Sequence, residues 1–480
     1  MNTITLPTSE LKSALHGLGK IIGKRSTLPV LQHVKVTKEH GKVSLQATDL
    51  DSTATFTLTD TQPGKSIEVL VLYEQLSKAF KCSKKEDLAI LCDGKNTRLR
   101  YYIGGNSIEQ PVNSASVSEW PPAPQITVES SKLEPGFGEA LRQAMDCCSS
   151  DTSRITLNGA CLDARDSKAH YIVGTNGRML YAANTFHFQF KEDVIVPNSR
   201  FITGSELLDA ECTIAIQSGK KPENAKHICL KNERWEFITR EVEGKFPNWK
   251  QVVPTVNGDY TKVYLQPAAV SQLLQVIPNL LGRDGDTNTV RLRIEKQLFI
   301  ESKGKEDAAW TSIIIPDVET TGKARMICVN RDYLLQALKF GLNELAVLDE
   351  LSPMVARKDG KQIVIVPVRP TAIAAIEKPS TSPVTPSTAT TSTPTERNTM
   401  PRTSRIQTPT APEPQPSQNG SALKTVTNQV EQIRESLKAM LQGFTDMASA
   451  LKQAEKEKKA TEKEIETVRA SVRRIQSVTI

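Results

Sequence analysis

The feature that most constrains what this chain can fold into is an internal repeat. The stretches "SELKSALHGLGKII" near residue 11, "GFGEALRQAMDCC" near 137 and "AAVSQLLQVIPNLL" near 270 each read as an amphipathic helix followed by a polar turn and short strands. A second set, "IEVLVLYEQLSKAFK" near 69, "DVIVPNSRFITGSELL" near 194 and "ARMICVNRDYLLQALK" near 326, reads each time as an apolar strand running straight into a helix. Successive offsets are about 126 and 133 in the first set and about 125 and 132 in the second. Two independent landmarks with matching offsets predict three copies of one α+β unit, each with two helices and about eight short strands, arranged as an arc.

Two joints separate the copies. "VSEWPPAP" (117–124) closes the first and "EVEGKFPNWKQVVP" (241–254) the second. Proline has no N–H for a ladder, so each joint ends a strand and sends the chain onward, with its aromatic residue free to pack at the seam. The expected boundaries are 1–124, 125–254 and 255–370.

Composition breaks after Pro370. Between Pro379 and Gly420 lie nine of the chain's 27 prolines and eleven threonines, with no aromatic residue. Such a stretch buries too little apolar surface to offset its ordering entropy, so 371–420 is expected to be a disordered linker. Residues 421–476 then hold a heptad register. Its a and d positions are Leu423, Val426, Val430, Ile433, Leu437, Met440, Phe444, Met447, Leu451 and Ala454, then Lys458, Thr461, Ile465, Val468, Val472 and Ile475. So long a strict 3.5-residue period favours a coiled coil over a single amphipathic helix lying on the body. Three roles suit this tail: self-association, a tether to another protein's coil, or a cover for a site on the body. A linker of this length reaches roughly 35–40 Å, enough for two such helices to meet as a parallel pair.

Formal charge is +7, from 61 basic and 54 acidic residues. The tail holds much of the excess, leaving the body close to neutral. Cations nevertheless gather on the helices and the turns after them: Lys12, Lys20, Lys24 and Arg25, then Lys78, Lys81, Lys84 and Lys85, then Arg142 and Arg200, then Arg283, Arg331 and Lys339. A near-neutral body with basic helices implies relatively acidic outer strands. Basic helices without base-reading motifs suit contact with a nucleic-acid backbone, which is blind to sequence and sensitive to salt. The eight scattered cysteines show no zinc spacing and suggest a reducing compartment. No basic and apolar leader opens the chain, and no apolar run approaches the ~20 residues of a membrane span. "QPGKS" (62–66) lacks the first glycine of a phosphate loop, and "DGDTN" (284–288) has Thr289 where a calcium loop needs glycine. Neither these nor the six dispersed histidines suggest an enzyme, a metal or a cofactor.

An ordered set of motifs carries a resemblance: "RSTLPVLQHVKV" (25–36), "LQATDLDSTA" (45–54), "SRITLNGACL" (153–162), "GTNGRMLYAA" (174–183), "DVIVPNSR" (193–200), "EVEGKFPNW" (241–249) and "IVIVPVRP" (363–370). Over residues 1–370 the chain resembles the bacterial DNA polymerase III β subunit, the sliding clamp. The resemblance implies an α+β fold of three repeated clamp domains, each two helices plus antiparallel sheets. These form a half ring, and two protomers close into a homodimeric ring with helices lining the hole. It implies a non-catalytic processivity factor, without cofactor, that encircles double-stranded DNA at the cytoplasmic nucleoid. Weak, mobile phosphate contacts would then be desirable, since retention is topological. The expected DNA-facing residues are Lys12, Lys20, Lys24, Arg25, Lys78, Lys81, Arg142, Arg154, Arg200 and Arg331. Of these, Arg25 and Arg154 match family arginines.

The resemblance further implies an apolar pocket for short linear peptides of the polymerase III catalytic subunit, the clamp loader and repair proteins. Carried over by motif, its wall is Leu157, Thr175, Gly177, Arg178 and Leu180, then Pro247 and Val252, then Val364, Val366, Pro367, Val368 and Arg369. The chain departs from the family pattern in places. Arg178 stands where many members have histidine. Ile155 and Thr156 stand where some carry aromatic residues, and Arg200 replaces a lysine-bearing turn. The largest departure is the 110-residue tail, since family chains end at about Arg369. The alternative reading is a clamp-derived scaffold assembled through the coiled coil without encircling DNA. It would follow if the ring interface, expected between 101–112 and Ile277–Leu281, had changed.

Overall fold

The computed structural model describes residues 2–369, apart from 24–27, 94–95, 113–114, 219–225, 283–287 and 305–308 and the side chain at 185. Lys24, Arg25, Arg283, the linker and every coiled-coil position lie outside the described residues. The chain divides into two compact units, Met1–Thr381 and Ser382–Ile480, and all described residues belong to the first.

The expected repeat is visible in the element order. One strand, a helix, four strands, a second helix and three strands follow one another three times, with one extra strand, Val318–Thr321, in the third round. The first helices are α1 (Thr8–Leu18), α3 (Phe137–Asp146) and α5 (Pro267–Val276). The second are α2 (Tyr73–Ser83), α4 (Arg200–Gly204) and α6 (Arg331–Lys339). Each second helix follows an apolar strand at once, as the sequence predicts. Side-chain caps start two of them: Ser199 accepts from the Phe201 N–H, and Asn330 from the N–H groups of Asp332 and Tyr333. The helices bury one stripe, as Leu11, Ala14, Leu15 and Leu18 do on α1.

Four antiparallel sheets hold the strands, and two of them cross the joints. Ser52–Thr57 of the first copy pairs with Trp235–Arg240 of the second. Met179–Phe186 of the second pairs with Lys361–Ile365 of the third. Helices follow suit on the other side: α2 packs on α1, α1 on α4, α4 on α3, and α5 on α6. The third copy meets the second through strand-to-helix contacts, at Phe340 just past α6 and at Glu139 of α3. Tyr181 meets Phe340 edge-on at 5.7 Å, and Lys361 pairs with Glu139 at 3.1 Å.

At the first joint the aromatic packs within its own copy and not at the seam. Trp120 is buried against Val30, Leu31 and Leu70, with its indole N–H donated to Gln46 at 3.0 Å. Phe246 and Trp249 are buried at the second joint. The seam between the first two copies is closed by Trp235, which stands edge-on to Phe56 and Phe201 at 4.8 and 5.0 Å. A Cβ on Gly17 of α1 would lie 2.4 Å from the Trp235 ring, so only glycine lets α1 approach. Gly17→Ala should therefore cost about 1–3 kcal/mol through overpacking, read as a lower midpoint in urea with an unchanged slope. An unchanged midpoint would show that Trp235 can move aside.

Candidate binding site

The residues expected at the peptide pocket come together where the second and third copies share a sheet. Leu180 sits directly opposite Val364 in the ladder, and Thr175 opposite Leu180 on the other side. Leu157, Leu180 and Val364 belong to one buried cluster with Cys161, Val173 and Ile195. Thr175 is buried; its hydroxyl donates to the Met179 carbonyl at 2.7 Å and accepts from the Gly177 N–H at 3.0 Å. This fixes the turn that holds Gly177 and Arg178 in solvent. The Arg178 carbonyl accepts from the Val366 N–H at 3.0 Å, so the end of the third copy is tied to the rim. Pro367 is buried, Val368 half-buried and Arg369 exposed.

The second joint forms the remaining wall. Phe246 and Trp249 insert into the cluster and leave Pro247 and Val252 on the surface. Gly244, at φ +119°, passes so close to the Ile155–Leu157 turn that a Cβ would lie 2.6 Å from Thr156. Val252, Val366 and Ile155 are 57%, 47% and 61% exposed, so apolar side chains border the cluster without being covered by it.

Sequence reasoning missed the group that anchors this wall. The Trp249 indole N–H donates to Asp163 at 2.9 Å, and Arg165 grips the same carboxylate through two bonds of 2.9 and 2.8 Å. Burial would raise the Asp163 carboxyl, but the hydrogen bonds from Arg165 and Trp249 outweigh it and hold it at about 2. Tyr171 stands edge-on to Trp249 at 4.9 Å, and the Lys250 ammonium lies over both rings. The only signal in the sequence is the two-residue spacing of Asp163, at the end of a strand, and Arg165, just beyond it.

The helix cations divide by their surroundings. Lys12, Lys78, Lys81, Arg154 and Arg200 are exposed. Arg154 lies 3.7 Å from Asp151, and beside Gly177. Lys20 is partly occupied, donating to the Gly204 carbonyl across the first seam. Arg142 is paired with Asp209 at 2.5 Å. Arg331 corrects an expectation. It is fully buried, and its guanidinium donates to the carbonyls of Leu280 and Leu281 at 2.7 and 2.5 Å. It therefore brackets α6 to the turn after α5 and cannot face DNA. A cation at the first position of a helix read as exposed in sequence; the two carbonyls that claim it come from fifty residues upstream.

Because the folded state holds Asp163 at about 2, below its usual 3.8, its ionised form stabilises the fold. That contribution should be present in full above pH ~4 and be lost as pH falls toward 2. Trp249→Phe removes one hydrogen bond and should cost about 1–2 kcal/mol. Asp163→Ala leaves the buried Trp249 N–H without its acceptor, while the partly exposed Arg165 keeps Asp193 nearby, and should cost about 1–3 kcal/mol. Denaturant titrations between pH 2 and 7 check both, and a pH-independent difference between Asp163→Asn and the parent would refute the assignment.

Sequence and structure comparisons place the chain beside sliding clamps. Residues 2–107 match the family model of the DNA polymerase III beta subunit, N-terminal domain. A beta sliding clamp of Pseudomonas putida is 25% identical over 382 residues, covering 76% of this chain and 99% of that protein. That of Bacillus subtilis is 22% identical over 358 residues, covering 70% and 89%. Among solved structures, the DNA polymerase sliding clamp of Bacillus subtilis superposes with a TM-score of 0.65 at 19% identity, over 77% of this chain and 99% of that one. The beta subunit of Pseudomonas aeruginosa gives 0.62 at 21% identity, over 77% and 100%. In its N-terminal family match and its fold, the body of this chain is thus similar to DNA polymerase III beta subunits.

Proposed function

We propose that this chain is a DNA sliding clamp, a non-catalytic processivity factor. Two copies close head to tail around duplex DNA and tether the replicative polymerase and other partners that carry short peptide motifs. The observation that carries this reading is a pair of unmatched edges. At both internal junctions, the fourth sheet strand of one copy pairs with the last strand of the next. Among the described residues, two such strands remain at sheet edges: Asn106–Pro111, the last of copy one, and Thr311–Ile315 of copy three. A second protomer placed by the same rule pairs these edges twice and closes a ring. Ile103, on the strand next to the first edge, and Ile314, on the second edge itself, are exposed.

The domain boundaries 1–124, 125–254 and 255–370 follow from the joints, and the row of helices becomes the lining of the hole. Lys12, Lys78, Lys81, Arg154 and Arg200 then supply sparse, mobile phosphate contacts, while Leu157, Leu180, Val364, Val366 and the second joint receive partner peptides. Encirclement is tested by placing the protein on nicked circular plasmid with a bacterial clamp-loader complex and isolating the complex. Protein retained on the circle should be released when the plasmid is cut. Equal retention on circular and linear DNA would refute topological binding.

Two further outcomes are expected. Replacing Lys78 or Lys81 by Ala should flatten the salt dependence of direct DNA binding by up to about 0.9 in log–log slope for each phosphate no longer neutralised, seen by titration at several salt concentrations. Val366→Asp, at an exposed position, should leave stability unchanged. It should weaken binding of a labelled polymerase III catalytic-subunit peptide by about tenfold or more, in line with the desolvation cost of a charge at an apolar contact.

A further inference from the structure

The two joints use one device. Each packs a tryptophan on its own copy: Trp120 over Leu70 of the sheet and the turn residues Val30 and Leu31, and Trp249 with Phe246 over Cys161, Val173 and Leu180. The second joint is launched by a single backbone bond. The Val242 N–H donates at 3.0 Å to the carbonyl of Ile195, on the strand Asp193–Pro197 that leads into α4.

The third copy repeats that launch. The Val368 N–H donates at 2.8 Å to the carbonyl of Cys328, on the strand Arg325–Asn330 that leads into α6. Family relatives cover the chain only to about this point, yet here 111 residues follow Arg369. They begin Pro-Thr-Ala-Ile-Ala-Ala-Ile, with Ile373 and Ile376 five and eight residues beyond Val368. Phe246 and Trp249 stand four and seven beyond Val242. An apolar pair thus falls at nearly the same distance from the same kind of bond.

The face this segment would meet is open. Cross-strand neighbours Met326, Arg293, Phe299 and Ile314 form one row on the solvent side of the third copy's sheet. Met326 and Ile314 are 41% and 51% exposed. Their counterparts under the second joint, Cys161, Val173, Leu180 and Ile195, are at most 5% exposed. The Arg293 guanidinium lies flat over Phe299 at 3.7 Å and is held by Glu301 at 2.9 Å, so the row is a preformed, largely apolar surface.

We propose that residues 371–376 fold back over this face as a third joint, seating Ile373 and Ile376 against Met326, Phe299 and Ile314. The root of the tail is then anchored to the third copy's outer sheet. It leads the linker away from the Leu157–Leu180–Val364 site instead of covering it. A second copy joining at the Thr311–Ile315 edge would share only Ile314 with this seat, because Met326 lies on the opposite edge strand of the same sheet and Phe299 on a strand between.

Hydroxyl-radical footprinting of the full chain, read by mass spectrometry, tests this. Compared with the parent, an Ile373→Asp/Ile376→Asp variant should show severalfold faster oxidation of Met326 and Phe299, with Tyr264, exposed elsewhere on the third copy, unchanged. Equal Met326 and Phe299 rates in the two proteins would overturn the proposal. So would a variant in which Val252 and Val366 gain reactivity instead, which would place the segment over the peptide site. Met326 protection that persists in the variant and grows with protein concentration would assign the face to a second copy, and also overturns it.

Discussion

A sheet edge carries a row of N–H and C=O groups that must find partners or be shielded. In this protein that requirement joins the copies. Ser52–Thr57 and Trp235–Arg240 satisfy each other across the first seam, Met179–Phe186 and Lys361–Ile365 across the second. The first junction makes two four-stranded sheets continuous and the second joins a four-stranded to a five-stranded one, so the repeats cannot rotate freely against one another. The helices are thereby held in a row on one side and the apolar clusters under the joints on the other. Asn106–Pro111 and Thr311–Ile315 are the same two kinds of strand, each with one side unpaired among the described residues. The assembly proposed above is the continuation of a rule the chain already obeys twice.

The second joint links this architecture to the proposed peptide site. A connecting segment exposed to water gains little from order, but Trp249 is locked through Asp163 and Arg165, and Phe246 is buried beside it. Pro247 and Val252 are consequently held at fixed positions on the rim of the apolar cluster. Preorganisation of this kind lowers the ordering cost of receiving a short peptide. The helix side follows the opposite logic. Exposed lysines and arginines with few fixed partners give a soft, sequence-blind attraction, and those that are fixed, Arg142 and Arg331, serve packing.

Much of this was legible in the sequence because it depends on periodicity. The helix pairs, the strand-to-helix runs and the two proline joints appear where the offsets put them, and the motif residues Leu157, Leu180 and Val364 converge. What was not legible depends on contacts between distant segments. Arg331 looks like any helix cation until the carbonyls of Leu280 and Leu281 are placed beside it. Asp163 looks like a surface strand residue until Trp249 arrives from 86 positions downstream. The crossing of sheets between copies was equally hidden, since alternation along a strand says which face is buried but not which strand lies alongside.

The central claim is that two copies close through their sheet edges and not through the tail. Molar mass by size exclusion with light scattering, over a range of concentrations, on the full chain and on a chain ending at Arg369 tests it most directly. The account predicts that both are dimers. A monomeric shorter chain beside a dimeric full chain would make the tail the assembly element and would contradict closure by the pairing of Asn106–Pro111 with Thr311–Ile315.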